Sequence, residues 1–457
     1  MTPLLRGVAF LLAAVAACSA SLWFYSAGQM GREMEKLIQL EISRAHFSGA
    51  VLVSRDGKIL FERAYGLANA EWDIANTTST KFEIGSITKP FTAVLVMQLE
   101  HQGRLALHDS ICKYLTPCPA EWAPITVHHL LSHTSGIFNV QRAANFETER
   151  TIPRTREEIS ERIRIGSPTF APGAEFEYNN SNYYLLGLII ERVTGHPYGT
   201  VLKERILEPL GMHDTGLISR EQLMPARASG YQSDAQNEFK NSARPLDPLW
   251  SFSAGAMYST VEDLQRWSEA LRRSTLLPRH TLERMWQPVK AGYGYGWLVP
   301  FGIAHTPQRR IIEHGGRVPG FSSSFSLMPD EQLTAIVLTS NVASDAMRLA
   351  RGLSTIALGE PYVSPLVREP AAIAAEKLQR YEGEYELDGV IWTMRANNGR
   401  LFSHANEPHA EIEILPECDT TFFVRDSDVS LRAQLDSKGR VTGFIVTPGG
   451  LVARKVR

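Results

Sequence analysis

Cysteine is scarce in this chain, with only Cys18, Cys112, Cys118 and Cys418 in 457 residues. No two of them have Cys-x-x-Cys spacing, which removes the usual thiolate metal sites. His128, His129 and His133 include an i, i+4 histidine pair, but the glutamate of a His-Glu-x-x-His zinc motif is absent. Basic runs are also missing, and a formal net charge of −2 argues against nucleic acid as the main partner. No long internal repeat is visible, and no metal or cofactor is expected.

What remains is an ordinary globular composition, 44% hydrophobic and 21% charged. Its length exceeds what one hydrophobic core usually supports, so two domains are expected. Residues 1–27 read as a targeting segment. Arg6 precedes the apolar run Gly7–Ala20, which has the length of an export signal. Val15-Ala16-Ala17-Cys18 also resembles a lipobox, with Cys18 as the lipidated residue. Apolarity continues through Tyr25, so an uncleaved anchor is the rival, barely long enough to span a bilayer. Each reading places the body outside the cytoplasm, in the periplasm or cell envelope, with membrane attachment only through the N-terminus. Cys112 and Cys118 flank a short loop. They are either a disulfide or two small buried residues, and Cys418 is left unpaired.

The chemistry starts at Ser86 and Lys89, in Phe82-Glu-Ile-Gly-Ser-Ile-Thr-Lys-Pro-Phe. Positions i and i+3 share a helix face, so the amine can reach the hydroxyl and act as the base that serine needs. A second Ser-x-x-Lys occurs at Ser110 and Lys113, in a short segment broken by Pro117. Context favours the first. The apolar stretch Pro90–Leu99 reads as a buried helix, and Pro90 is tolerated only if that helix starts near Ser86. Ser86 then sits at a helix N-terminus, where developing negative charge is favoured.

Residues 30–358 form the first domain. Strands are expected at its two ends: 49–64, with a hairpin at Asp56-Gly57, and then Gly296–Val299, Arg310–His314, Ser322–Leu327 and Thr334–Thr339. Helical patterns lie between them at Val127–Leu131, Asn182–Thr194, Gly199–Glu208 and Thr260–Arg272. Distant strands around a helical block suggest an α+β fold with one mixed or antiparallel sheet. Residues 359–378 read as a proline-punctuated linker ending in a short helix from Ala371 to Leu378. Residues 379–457 carry short strand signals about every ten residues, as in a small barrel or sandwich of about eight strands.

Two further segments supply candidates. Tyr178 and Asn180 precede a helix that buries Leu185, Leu186 and Ile189. Tyr178 either shuttles protons, with nearby cations lowering its pKa, or simply packs. Asn180 either bonds Lys89 and a substrate amide or caps the helix. His314-Gly315-Gly316 closes the strand Arg310–His314. It is either a tight turn with a solvent-facing histidine or a place where a substrate backbone approaches an oxyanion site.

Taken together, Ser86-x-x-Lys89, Tyr178-x-Asn180 and His314-Gly315-Gly316 resemble the motifs of class C β-lactamase-like serine hydrolases, which include β-lactamases, D-amino-acid peptidases and esterases. Phe47–Val53, Leu130–Ile137 and Pro319–Ser323 also look family-like, so the resemblance covers roughly residues 35–355. The last 79 residues resemble the lipocalin-like β-domain appended to some members. The resemblance implies a β-lactamase/transpeptidase-like antiparallel sheet flanked by helices, plus an all-helical lobe. It further implies attack by Ser86 on a small-molecule or peptide acyl substrate, an acyl-enzyme and then hydrolysis. Lys89 and Tyr178 would share proton transfer. Asn180, His314, Gly315 and Gly316 would bind substrate, and the N–H groups of Ser86 and Arg317 would hold the oxyanion. His314 stands where such β-lactamases and peptidases carry a lysine that binds a substrate carboxylate. A mostly neutral histidine points instead to an esterase or peptidase with at most weak β-lactam turnover. The alternative is a non-catalytic, penicillin-binding-like protein that binds cell-wall peptides or protein partners.

Overall fold

The computed structural model describes residues 28–456 except 222, 234–238, 241–245, 304–305, 361, 388–389, 406–410, 426, 428 and 448–450. The expected leader, residues 1–27 with Cys18, lies outside the described residues. Among the described residues no helix is long and apolar enough to cross a membrane.

Five antiparallel strands make the central sheet: β1 (Gly49–Arg55), β2 (Lys58–Tyr65), β3 (Ile312–Val318), β4 (Phe321–Met328) and β5 (Leu333–Thr339), in the order β3-β4-β5-β1-β2. Asp56 and Gly57 both take positive φ and join β1 to β2 as the Asp-Gly signal predicts. β1 is apolar throughout because both faces of the sheet are covered. Ala50 and Leu52 join the larger core, while Val51 and Val53 face the smaller one. The smaller core packs helix α1 (residues 28–45) and a C-terminal helix of this domain, Ala346–Ala357, on the outer face. A buried two-pronged ion pair between Arg348 and Glu41 ties these two helices together, with contacts of 3.2 and 3.0 Å.

The larger core holds α2 (Thr88–His101), α3 (Asn180–Thr194), α4 (Pro248–Gly255) and α5 (Val261–Arg272). α2 is buried on nearly every side, and Phe91 stacks on Trp267 of α5 at 4.1 Å between ring centroids. A helix so enclosed holds its first turn rigidly, and that turn carries the candidate nucleophile.

The expected strand at Gly296–Val299 does not form; Leu298 makes only isolated bridges, to Tyr293 and Glu313. Gly296 explains why. It takes φ +82°, and a Cβ there would lie 2.9 Å from Ala93 and 3.1 Å from the Lys89 carbonyl. The segment is pressed against α2 instead of extending along the sheet. The helix expected over Gly199–Glu208 is split into Tyr198–Leu202, a wider turn over Lys203–Leu207 and Glu208–Leu210.

Beyond the linker, where the short helix is Ala375–Gln379, eight antiparallel strands from Gly383–Leu387 to Leu451–Lys455 close into a barrel. The first strand pairs with the last through Tyr385 and Lys455, which removes any open sheet edge. Tyr381, Tyr385, Phe422 and Phe444 fill its interior.

Candidate active site

Ser86 lies in a single 3-10 turn, Gly85–Ile87, that runs directly into α2. The turn brings Lys89 Nζ to 2.9 Å from Ser86 Oγ. The same amine lies 2.7 Å from Asn180 Oδ1 and 2.9 Å from the Ala254 carbonyl. Lys89 is fully buried while solvent reaches Ser86. Burial therefore pushes the lysine well below its ordinary range. Ser110 and Lys113 are occupied elsewhere. Ser110 donates to the Ala123 carbonyl at 2.8 Å, and Lys113 pairs with Asp109 at 2.9 Å.

Asn180 is free to reach Lys89 because its neighbour caps the helix. Asn179 Oδ1 accepts the N–H of Ser181 at 2.8 Å, so the capping role weighed for Asn180 belongs to Asn179. Asn180 Nδ2 donates to Gln141 Oε1 at 2.5 Å, which fixes the amide with its oxygen toward Lys89. The Ala254 carbonyl is aimed by the chain bend in α4, where Phe252 takes φ 36° and ψ −126°. The next two carbonyls both turn toward α2, Ser253 to Thr92 Oγ1 at 2.7 Å and Ala254 to Lys89.

The Tyr178 phenol faces the Ser86 hydroxyl, and Lys89 Nζ stands 4.7 Å from the centre of its ring. Burial outweighs the opposing pull of the Ser86 hydroxyl, so the phenol is pushed up and not down as the sequence suggested. At neutral pH Tyr178 is a neutral hydroxyl with a proton to give.

His314 is interior to β3, not at a turn; the turn is Pro319-Gly320, and Val318 pairs with Phe321. Its ring is buried, correcting the solvent-facing alternative. Nδ1 lies 2.7 Å from the Gly315 carbonyl, so it carries the proton, and Nε2 accepts from the Tyr293 hydroxyl at 3.0 Å. Gly315 and Gly316 make room for the protein itself. A Cβ on Gly316 would sit 1.9 Å from the Ile84 carbonyl, and one on Gly315 2.4 Å from Met347 Sδ. A Cβ on Gly85 would likewise come within 2.8 Å of the Arg317 backbone nitrogen. The turn bearing Ser86 is thus seated directly on the edge strand β3 beside Arg317. The Arg317 side chain points away and donates to the Val342 carbonyl at 2.8 Å.

Burial, with the Lys89 charge second, lowers His314 to about 3. The unfolded chain takes up a proton near pH 6.5 that the folded protein refuses, so this term of stability is complete above pH 6.5 and is lost as pH falls toward 3. Each pH unit in that window should cost about 1.4 kcal/mol. Urea unfolding across the window should show a shallower loss for His314→Gln than for wild type, and equal slopes would contradict this account.

The three clustered histidines, including the i, i+4 pair His129 and His133, each serve the local structure. His128 Nδ1 meets the Tyr295 hydroxyl at 2.6 Å, and His129 closes the capping box of its own helix with Thr126. His133 Nδ1 instead takes the backbone N–H of Asn179 at 3.2 Å. Cys112 and Cys118 are joined as a disulfide, and Cys418 is free and exposed.

A serine–lysine pair at the start of a buried helix, a tyrosine on the serine and an asparagine on the lysine sit on a five-stranded antiparallel sheet; with the β-lactamase family model matching residues 32–357, the chain belongs to that family of serine hydrolases. Penicillin-binding protein 4* of Bacillus subtilis is 28% identical over 456 aligned residues, covering 93% of this chain and 98% of that one. The octameric penicillin-binding protein homologue from Pyrococcus abyssi shares the fold with a TM-score of 0.67 at 23% identity, over 90% and 95% of the two chains. A D-stereospecific amidohydrolase from Streptomyces sp. superposes with a TM-score of 0.62 at 25% identity, over 72% of this chain and 99% of the other.

Sequence reasoning missed Gln141, the Ala254 carbonyl, Tyr293 and His133. The available signals were slight: the Gly-Tyr-Gly-Tyr-Gly-Trp run at 292–297 marked close packing, and a histidine just before Thr-Ser-Gly136 marked a helix end.

Proposed function

We propose that the protein is an exported acyl hydrolase in which Ser86 attacks an ester or amide that carries no carboxylate beside the scissile bond. The observation that supports it most is the partner set of Lys89. Asn180 Oδ1 and the Ala254 carbonyl are pure acceptors and take two N–H groups. A neutral amine then has its lone pair left for the Ser86 hydroxyl at 2.9 Å. Lys89 is the base of acylation, and Tyr178 hands a proton to the leaving group. The N–H groups of Ser86 and Arg317 hold the oxyanion. Asn180 and the β3 backbone through Gly315 and Gly316 position the substrate.

The leaving-group side is set by His314. Neutral, and with both ring nitrogens engaged, it supplies no cation for a substrate carboxylate. Export is supported by the apolar leader and by the Cys112–Cys118 disulfide, which belongs in an oxidising compartment.

The test is purified protein assayed with 4-nitrophenyl esters, a D-aminoacyl amide and a penicillin. Turnover of an ester or amide with penicillin slow or inert supports the reading. Penicillin as the best substrate would contradict the role given to His314, and failure of every acylating substrate together with a phosphonylating fluorophosphonate would contradict enzymatic function.

A further inference from the structure

We infer that His133 is a positioning residue for Tyr178, holding the backbone on both sides of the proton-relaying tyrosine. This rests on the acyl-hydrolase reading above. The His133 carbonyl accepts the N–H of Glu177 at 3.0 Å, and its Nδ1 accepts the N–H of Asn179 at 3.2 Å. The residues before and after Tyr178 are therefore anchored to one side chain and its own backbone. The imidazole also packs on the tyrosine, with ring centroids 4.5 Å apart.

Three details separate this from a histidine that merely fills space. First, the ring state is fixed. Asn182 Oδ1 accepts from Ser135 at 2.6 Å, so its amide nitrogen faces His133 Nδ1 at 3.1 Å. Nδ1 thus accepts two donors and the proton resides on Nε2. Second, Nε2 is buried and has no hydrogen-bond partner among the described residues. The fold accepts the cost of burying that N–H while using Nδ1 and the ring face. Third, His133 takes φ +58°, which disfavours most side chains. A filler would be better supplied by an aliphatic residue in an ordinary conformation. Burial, with Lys89 and His314 nearby, holds the imidazole well below its ordinary range and so keeps it neutral.

The consequence is specific to one proton. A 4-nitrophenolate departs without protonation, whereas an alkoxide needs the Tyr178 proton. Misplacing Tyr178 should therefore penalise alkyl esters far more than nitrophenyl esters of the same acid. Two variants divide the roles: His133→Leu removes the acceptor and keeps bulk, and His133→Asn restores an acceptor and tolerates positive φ.

The experiment measures kcat/KM, which reports acylation, for a methyl and a 4-nitrophenyl ester of one acid. His133→Leu should lose about 10- to 100-fold on the methyl ester and no more than about 3-fold on the nitrophenyl ester, a fraction of a full general-acid contribution. His133→Asn should recover most of the loss, and Tyr178→Phe should show the same ester bias, with His133→Leu adding little to it. Equal losses on both esters, or none, would overturn the inference while leaving the hydrolase reading standing. If wild type reacts with neither ester and with none of the amide, penicillin and fluorophosphonate reagents above, the hydrolase reading fails and this inference falls with it. Should His133→Leu not fold, the esters assayed on His133→Asn and Tyr178→Phe still decide. An unbiased Tyr178→Phe, or a His133→Asn that has lost both activities equally, overturns the inference.

Discussion

Ser86→Ala should reduce kcat/KM for every substrate by about a millionfold, to the level left when a serine hydrolase loses its nucleophile. The fold should not change. Ser86 is partly solvent-exposed, and among the described residues its hydroxyl meets only Lys89 and Tyr178. Deleting it creates no large cavity and leaves Lys89 held by its two acceptors, Asn180 Oδ1 and the Ala254 carbonyl. Thermal unfolding should therefore shift little while labelling by a fluorophosphonate disappears. Labelling that persists in the variant would move the nucleophile elsewhere. Ser110 is a poor heir, because its hydroxyl and Lys113 are engaged with Ala123 and Asp109.

Lys89 replacements should have the second-largest effect and should reveal what the amine does. Lys89→Met removes the base and should cost about a thousandfold or more in kcat/KM. Lys89→Arg retains a cation but cannot deprotonate near neutrality, so it should be about as inactive. If Lys89 acted only through its charge, arginine would rescue. The pH profile carries the sign independently. Activity requires the neutral amine, and burial lowers the lysine from 10.5. Activity should rise with pH through that lowered value and level off well below pH 10.5, instead of climbing to the pKa of a free lysine. A bell with its acid limb near pH 10 would contradict a neutral, buried Lys89.

How much of this site could be read from the chain follows from how local each contact is. Ser86 and Lys89 are three residues apart, in the turn that opens α2 and in its first turn, and Tyr178 and Asn180 flank one helix start, so spacing alone groups them in pairs. Nothing in the spacing joins the pairs across the 91 residues that separate Lys89 from Asn180; only the motif resemblance did so. The Ala254 carbonyl was invisible, because a backbone oxygen has no sequence signature and its aim depends on the bend at Phe252. Gly315 and Gly316 were legible as a close approach, but its partner was misjudged. The strand continues through them, and the neighbours are Ile84 and Met347. Likewise an apolar Gly-Trp-Leu-Val run reads as a strand by composition, while Gly296 on α2 forbids it. The strands with alternating or two-sided burial and the barrel repeats were recovered because their periodicity is a direct record of which faces are covered.

The most direct test is mass spectrometry of protein quenched in acid during turnover of a 4-nitrophenyl ester. One added acyl group is expected, carried by the tryptic peptide Phe82–Arg104 at Ser86 and missing in Ser86→Ala. Turnover with the acyl group on another peptide, such as Leu105–Lys113, which holds Ser110, would contradict Ser86 as the nucleophile.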